Sequence, residues 1–155
     1  EVLDLRDFEM EVFSIDRQNT DGIPAAAMAF AAKIDEADFI LISFAEHNGN
    51  YSCAYKNIID WVSRIPKRKI YNNKPLFIMA TSNGARGGQG VLSIAEARMP
   101  FDGGQVLETF SLPEFSKNFE EGKGVTTVLY RSQLEAKVRK TKRLLAARKA
   151  AENII

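Results

Sequence analysis

Glu46, His47 and Cys53 are the residues whose types could do acid, base or nucleophilic chemistry, and they fall in one polar stretch, Ala45 to Cys53. An adjacent carboxylate and imidazole can move a proton, but no second carboxylate or nucleophile stands at a recognisable spacing from them. For acid/base work the preferred reading is therefore the plain one, in which the two side chains cap a turn or meet solvent. His47 has a flat ring that could stack on another ring or contact a substrate. Cys53 has no Cys/His/Asn arrangement around it and reads as a small packed residue at a helix start. What remains is backbone chemistry. Asn48-Gly49-Asn50 marks a sharp turn, since glycine takes positive φ without steric cost and asparagine tolerates it. A turn of this kind presents N–H groups, and the stretch is expected to hold a flat, hydrogen-bonding ring. A glycine-rich stretch, Thr81 to Gly90, lets backbone approach a ligand closely, with the Thr81 and Ser82 hydroxyls as further donors. It lacks the Gly-Lys-Ser/Thr ending of a Walker loop. Arg86 within it either contacts a phosphate group or is a solvated loop charge.

The elements around these stretches must position them. Phe39-Ile-Leu-Ile-Ser-Phe44 and Leu76-Phe-Ile-Met-Ala80 are apolar runs of strand length, as expected of strands covered by helices on both faces. Each leads directly into one of the distinctive loops. In a parallel α/β sheet both loops then lie at the carboxyl edge, where ligands bind. The loop 45–53 opens a helix over Ala54 to Ile65, with Ile58, Ile59, Trp61 and Val62 at helical spacing, and Pro66 stops it. Lys56 and Asn57 face a ligand, a neighbouring subunit or water.

Elsewhere, Val2 to Leu5 reads as a short strand and Phe8 to Gly22 as a polar surface loop. Pro24 opens a helix through Ile34 with Met28, Phe30, Ala31 and Ile34 inward. Val91 to Met99 reads as a helix and Gln105 to Leu112 as a strand. Glu114 to Gly124 reads as a mobile charged loop. Arg131 to Glu152 reads as a long helix with Leu134, Val138, Leu144 and Leu145 inward. Its basic run from Lys137 to Arg148 suits a helix C-terminal half and solvent. Residues 1–155 are read as one domain.

Composition excludes several classes. Lys+Arg total 21 against 20 for Asp+Glu, which gives no global reason to expect nucleic acid or a membrane surface as partner. One Cys and one His cannot build a disulfide framework or a Cys/His metal cluster. The apolar runs fall short of the roughly 20 residues a bilayer span needs. A reducing, cytoplasmic setting is the default expectation.

Glu46-His-Asn-Gly-Asn-Tyr-Ser, followed by Lys56-Asn-Ile-Ile-Asp-Trp-Val-Ser-Arg64, closely resembles the flavodoxin-like NAD(P)H-dependent FMN reductases, which include quinone, chromate and azo-dye reductases. Thr81-Ser-Asn-Gly-Ala-Arg-Gly-Gly matches that family's second flavin loop. The resemblance implies an α/β, doubly wound, three-layer flavodoxin-like sheet. It also implies an enzyme passing hydride from NAD(P)H through FMN to a quinone, azo, chromate or free-flavin acceptor. Ala45, Glu46, His47, Asn48 and Gly49 would meet the flavin on one side, with Thr81, Ser82, Asn83, Gly84, Arg86 and Gly87 on the other. No side chain is assigned as catalytic and no metal is expected, because the cofactor carries the chemistry. A homodimer or homotetramer with helix 53–65 at the contact is implied as well.

Two departures stand out. Ala45 and His47 occupy positions where the family has Pro and Tyr. The family's first strand and its FMN phosphate loop have no counterpart in this sequence. The expectation is that an N-terminal segment of the natural protein is missing, or that a strand from a partner chain fills the gap. The alternative function is a flavin-binding or sensing module without turnover, or a remnant unable to hold FMN.

Overall fold

The structure is a computed structural model and describes residues 1–152. Its centre is a three-stranded parallel sheet in the order β1–β4–β5, formed by Ile40–Phe44, Pro75–Thr81 and Gln105–Leu112. Phe44 pairs with Ala80, and Thr81 with Leu112, so all three strands end at one edge. Helices cover both faces, which is the α/β sheet expected. On one face lie α2 (Ala25–Glu36), α3 (Cys53–Val62) and α4 (Gln89–Arg98). Their buried side chains, among them Phe30, Ile34, Ile58, Trp61, Val62 and Leu92, form the larger core with Leu76 and Ile78 of β4. The long helix α6 (Val128–Glu152) covers the other face through Leu134 and Val138, against Phe77, Phe110 and Leu112.

Several expectations need correction. Val2–Leu5 forms no strand. The chain there turns into a 3-10 turn, Leu5–Phe8, capped by Asp4, whose carboxylate accepts from the Arg6 amide at 2.9 Å. No neighbouring strand offers these residues a ladder. The polar stretch 8–22 contains a short helix, α1 (Ile15–Asp21), started by Ser14, whose hydroxyl accepts from the Arg17 amide at 3.2 Å. Helix α2 uses Ala27 rather than Met28 on its inner stripe; Met28 is 49% exposed. Leu144 is also turned outward on α6. Cys53 is exposed rather than packed, because Ser52 is the α3 cap and Cys53 begins the solvent side of the first turn. The stretch 114–124 is not a free loop. It holds a helical turn, α5 (Phe115–Asn118), and a hairpin of β6 (Phe119–Glu120) and β7 (Gly124–Val125). Phe115 stacks on Phe119 at 4.7 Å, and the Asn118 side chain donates to the Pro113 carbonyl at 2.8 Å.

Strand β1 is at the sheet edge and is less covered than its apolar sequence suggests. Leu41 is 55% exposed. A groove of about 930 Å³ runs along this edge, walled by Glu1 to Leu3, Phe30, Ile34 and β1, with Tyr55 and Tyr71 at its base. The two tyrosine hydroxyls lie 2.5 Å apart, so one donates to the other. The second hydroxyl hydrogen has no acceptor among the described residues. Burial pushes both phenols well above the usual tyrosine range, so both stay neutral.

Helix α6 is fastened to β5 by Glu108, whose carboxylate accepts from Lys137 at 2.9 Å and meets Lys140 at 2.5 Å. Burial pushes this carboxyl up, but the two lysine hydrogen bonds outweigh it and hold it below its ordinary value. A carboxyl lowered in the folded state stabilises the fold above the unfolded-state pKa, and that contribution fades as pH falls through the folded value. Glu108→Gln is therefore expected to cost about 1 kcal/mol near neutral pH and less in acid. Urea unfolding followed by circular dichroism at both pH values measures this difference.

Candidate functional site

The site is assembled where β1, β4 and β5 end. Beyond β1 the chain forms a hairpin rather than an open loop: β2 (Glu46–His47) pairs with β3 (Asn50–Tyr51). Its two-residue turn is Asn48-Gly49 with φ of 52° and 77°. Asn-Gly is favoured in this turn because both central residues need positive φ. An aromatic floor supports the hairpin. Phe44, Tyr51 and Tyr55 lie within 4.8–5.4 Å of one another, ring centre to ring centre. Burial, aided by the Asp102 carboxylate, pushes the Tyr51 hydroxyl up to about 12. Neutral Tyr51 is packing and not a proton acceptor at physiological pH.

Beyond β4, the glycine-rich stretch folds back over the end of β5. The Thr81 hydroxyl donates to the Leu112 carbonyl at 2.7 Å. The Asn83 side-chain oxygen accepts from the Ser116 amide at 3.0 Å and from its hydroxyl at 2.7 Å. Gly84 accepts from the Gly87 and Glu114 amides, both at 3.2 Å. Gly87 and Gly88 are where the closest approaches occur. A Cβ on Gly87 would lie 2.5 Å from the Pro113 nitrogen, and one on Gly88 would lie 2.7 Å from the Ala80 Cβ. Both also have positive φ, so only glycine fits without displacement.

The hairpin and the glycine-rich stretch are joined at the start of α4. The Glu46 carboxylate accepts from the Val91 amide at 2.9 Å. Val91 is one of the first-turn amides that a helix leaves without an internal partner. Glu46 thus caps a helix from outside it, and the anionic oxygen suits the positive helix end. The structure supports the turn-capping reading of Glu46. His47 and Ala45 are exposed, and the His47 ring makes no hydrogen bond among the described residues.

What this edge offers chemically is backbone donors. The amides of Asn48 and Gly49 lie outside the hairpin ladder, and those of Asn83, Gly84, Ala85 and Arg86 donate to no group among the described residues. The Arg86 side chain is exposed and enters no ion pair among them. The two rows of N–H groups lie beyond adjacent, paired strands. No group of three or more His, Cys, Asp or Glu side chains that could hold a metal occurs among the described residues.

Lys56 and Asn57 resolve into structural roles. The Lys56 ammonium pairs with Asp60 at 2.7 Å on the α3 surface. The Asn57 side chain accepts from the Phe13 amide at 2.8 Å and donates to the Met10 and Glu11 carbonyls at 3.1 and 3.2 Å. Trp61, one turn on, donates its indole N–H to the Glu11 carbonyl at 2.7 Å. Residues missed in the sequence are Gly90 and Val91, which receive Glu46, and Ser111 to Ser116, which underlie the glycine-rich stretch. Position after the third apolar strand was the available signal for the latter.

A sequence model described as "NADPH-dependent FMN reductase" matches residues 1–117. A protein named quinone reductase from Escherichia coli is 35% identical over 80 residues, covering 52% of this chain and 42% of that protein. An NADPH:quinone oxidoreductase from Arabidopsis thaliana is 35% identical over 95 residues, covering 61% of this chain and 45% of that protein. The chain thus spans less than half the length of these relatives. Among solved structures, FerB, a flavoenzyme NAD(P)H:(acceptor) oxidoreductase from Paracoccus denitrificans, superposes with a TM-score of 0.67 at 19% identity. It matches over 90% of this chain and 79% of that chain, a likeness in fold.

Proposed function

The chain belongs to the NADPH-dependent FMN reductase family, and we propose that it works as an NAD(P)H-dependent FMN oxidoreductase with a quinone, azo, chromate or free-flavin acceptor. The observation that carries this reading is two rows of amides on one sheet edge, Asn48–Gly49 and Asn83–Arg86, that are unpaired among the described residues. A flavin ring has a polar edge that needs donors, and these rows offer N–H groups. The open space around Gly49, where an added Cβ would meet nothing within 4 Å, leaves a ring room to approach the backbone.

Bound FMN would supply the redox chemistry, taking up a hydride from the nicotinamide nucleotide and returning the two electrons to the acceptor. The protein's own part is to bind, orient and stabilise charge. On this reading backbone N–H groups around Glu46 to Gly49, those of Asn48 and Gly49 foremost because they lie outside the hairpin ladder, hold the ring's polar edge beside Ala45, and preorganised donors of this kind favour negative charge on a reduced ring. Thr81, Ser82, Asn83, Gly84 and Gly87 shape the opposing wall. Arg86, exposed and in no ion pair among the described residues, would meet a phosphate of the nicotinamide nucleotide. His47, exposed and with no ring hydrogen bond among the described residues, would stack on a ring or meet the acceptor.

The test is spectroscopic. The purified protein mixed with FMN should show a bound flavin spectrum that NADPH bleaches and a quinone restores. A protein that leaves FMN free in solution overturns the reading. The homodimer or homotetramer with α3 at its contact, and the cytoplasmic setting, are part of the same proposal. No helix among the described residues is long and apolar enough to cross a membrane. Size-exclusion chromatography with light scattering that finds a monomer removes the oligomer.

A further inference from the structure

We propose that Glu46 is a positioning residue whose carboxylate, seated on the Val91 amide in a niche left by Gly90, sets the spacing between the hairpin and the glycine-rich stretch. This inference rests on the flavin reading above.

The geometry has three independent parts. The Glu46 oxygen accepts from Val91 at 2.9 Å across a wide sequence separation. A Cβ on Gly90 would lie 2.8 Å from that same oxygen and 3.1 Å from the Gly49 carbonyl oxygen. The helix that receives the carboxylate has no side-chain cap of its own among the described residues. Gly88 stands at its N-cap with φ of 77° and supplies no side chain. In a helix that follows the glycine-rich stretch directly, the missing cap is supplied by the other loop. One hydrogen bond therefore ties the two rows of amides to each other.

A flat ring gripped from both sides tolerates little change in the separation of its donors, so loss of the brace should be felt in flavin affinity before it is felt in the fold. Glutamine keeps an oxygen that accepts from Val91, whereas alanine removes it. A hydrogen bond to a charged group is worth enough that its removal corresponds to roughly a tenfold effect or more.

Amide exchange in the flavin-free protein and FMN titration by fluorescence quenching together decide the matter. In Glu46→Ala, Val91 exchange should quicken about tenfold or more, while the β4 core amide of Ile78 is unchanged. FMN should bind about tenfold more weakly. Glu46→Gln should recover both properties to within a few-fold of the parent protein. Gly90→Ala, with Glu46 intact, should weaken FMN binding by filling the niche, and it provides the second reading if Glu46→Ala folds poorly. Unchanged Val91 exchange in Glu46→Ala removes the brace. Quickened exchange with unchanged FMN affinity removes the positioning role. If the parent protein takes up no FMN, the flavin reading falls and the positioning role with it, while Val91 exchange still reports separately on the brace.

Discussion

Gly87→Ala is expected to abolish measurable flavin binding while leaving much of the secondary structure in place. Two effects coincide at this glycine. Its φ is +55°, a region in which an L side chain costs roughly 1–2 kcal/mol. The added methyl would also lie 2.5 Å from the Pro113 nitrogen, 2.6 Å from the Ser111 Oγ and 2.8 Å from the Leu112 carbonyl carbon. Two of these neighbours are backbone and cannot swing aside. The glycine-rich stretch must lift from the end of β5. That breaks the bond by which the Ser111 hydroxyl donates to the Gly87 carbonyl at 2.9 Å, and it displaces the Asn83–Arg86 amides. A stability loss of about 2–4 kcal/mol is expected from strain and overpacking together, and FMN affinity should fall by more than the brace mutation costs. Thermal unfolding and FMN titration of the same preparation separate the two effects. A Gly87→Ala protein that binds FMN as the parent does removes the glycine-rich stretch from the site.

Trp61→Ala is the second large effect, and it acts far from the proposed site. Trp61 is 1% exposed, meets the Phe13 ring edge-on at 5.0 Å and donates to the Glu11 carbonyl. Truncating a buried tryptophan costs roughly 3–5 kcal/mol, set against a typical total of about 5–15 kcal/mol. Residues 10–13 would lose one anchor, while the Asn57 hydrogen bonds and the Arg64 guanidinium over the Phe13 ring remain. Trp61→Phe should cost less, because it keeps most of the packing and gives up the indole hydrogen bond. Urea unfolding followed by circular dichroism is the suitable measurement, since the chain has a single tryptophan and the variants lose its fluorescence. A midpoint for Trp61→Ala equal to that of the parent would contradict the clamp.

These two positions mark how far the sequence could be read. Apolar runs mark two of the central strands, 39–44 and 76–80, each within one residue of its observed bounds, and alternation marks the third at its observed bounds, 105–112. Because both distinctive loops follow such runs, their common edge was legible as well. The turn chemistry of Asn48-Gly49 was also legible, although its flanking residues pair as a hairpin. What periodicity could not reveal is which partner lies opposite a side chain. Glu46 had no visible partner because Val91, to which it bonds, offers only a backbone amide. Asn57 and Trp61 looked like a motif and a core stripe. They are one device, holding a segment that composition alone reads as polar loop. Met28 and Leu41 failed for a related reason. Hydrophobicity marks residues that could be buried, but only the neighbouring elements decide whether they are, and Leu41 has no helix over it.

If the proposed function is right, the hairpin turn and the glycine-rich stretch hold one ring between them. Backbone NMR of the protein during FMN addition tests it most directly. The largest shifts should fall on Asn48, Gly49 and Asn83 to Arg86, together and at the same FMN concentration. Shifts confined to one of the two rows, or gathered along the outer edge of β1 away from both, would contradict it.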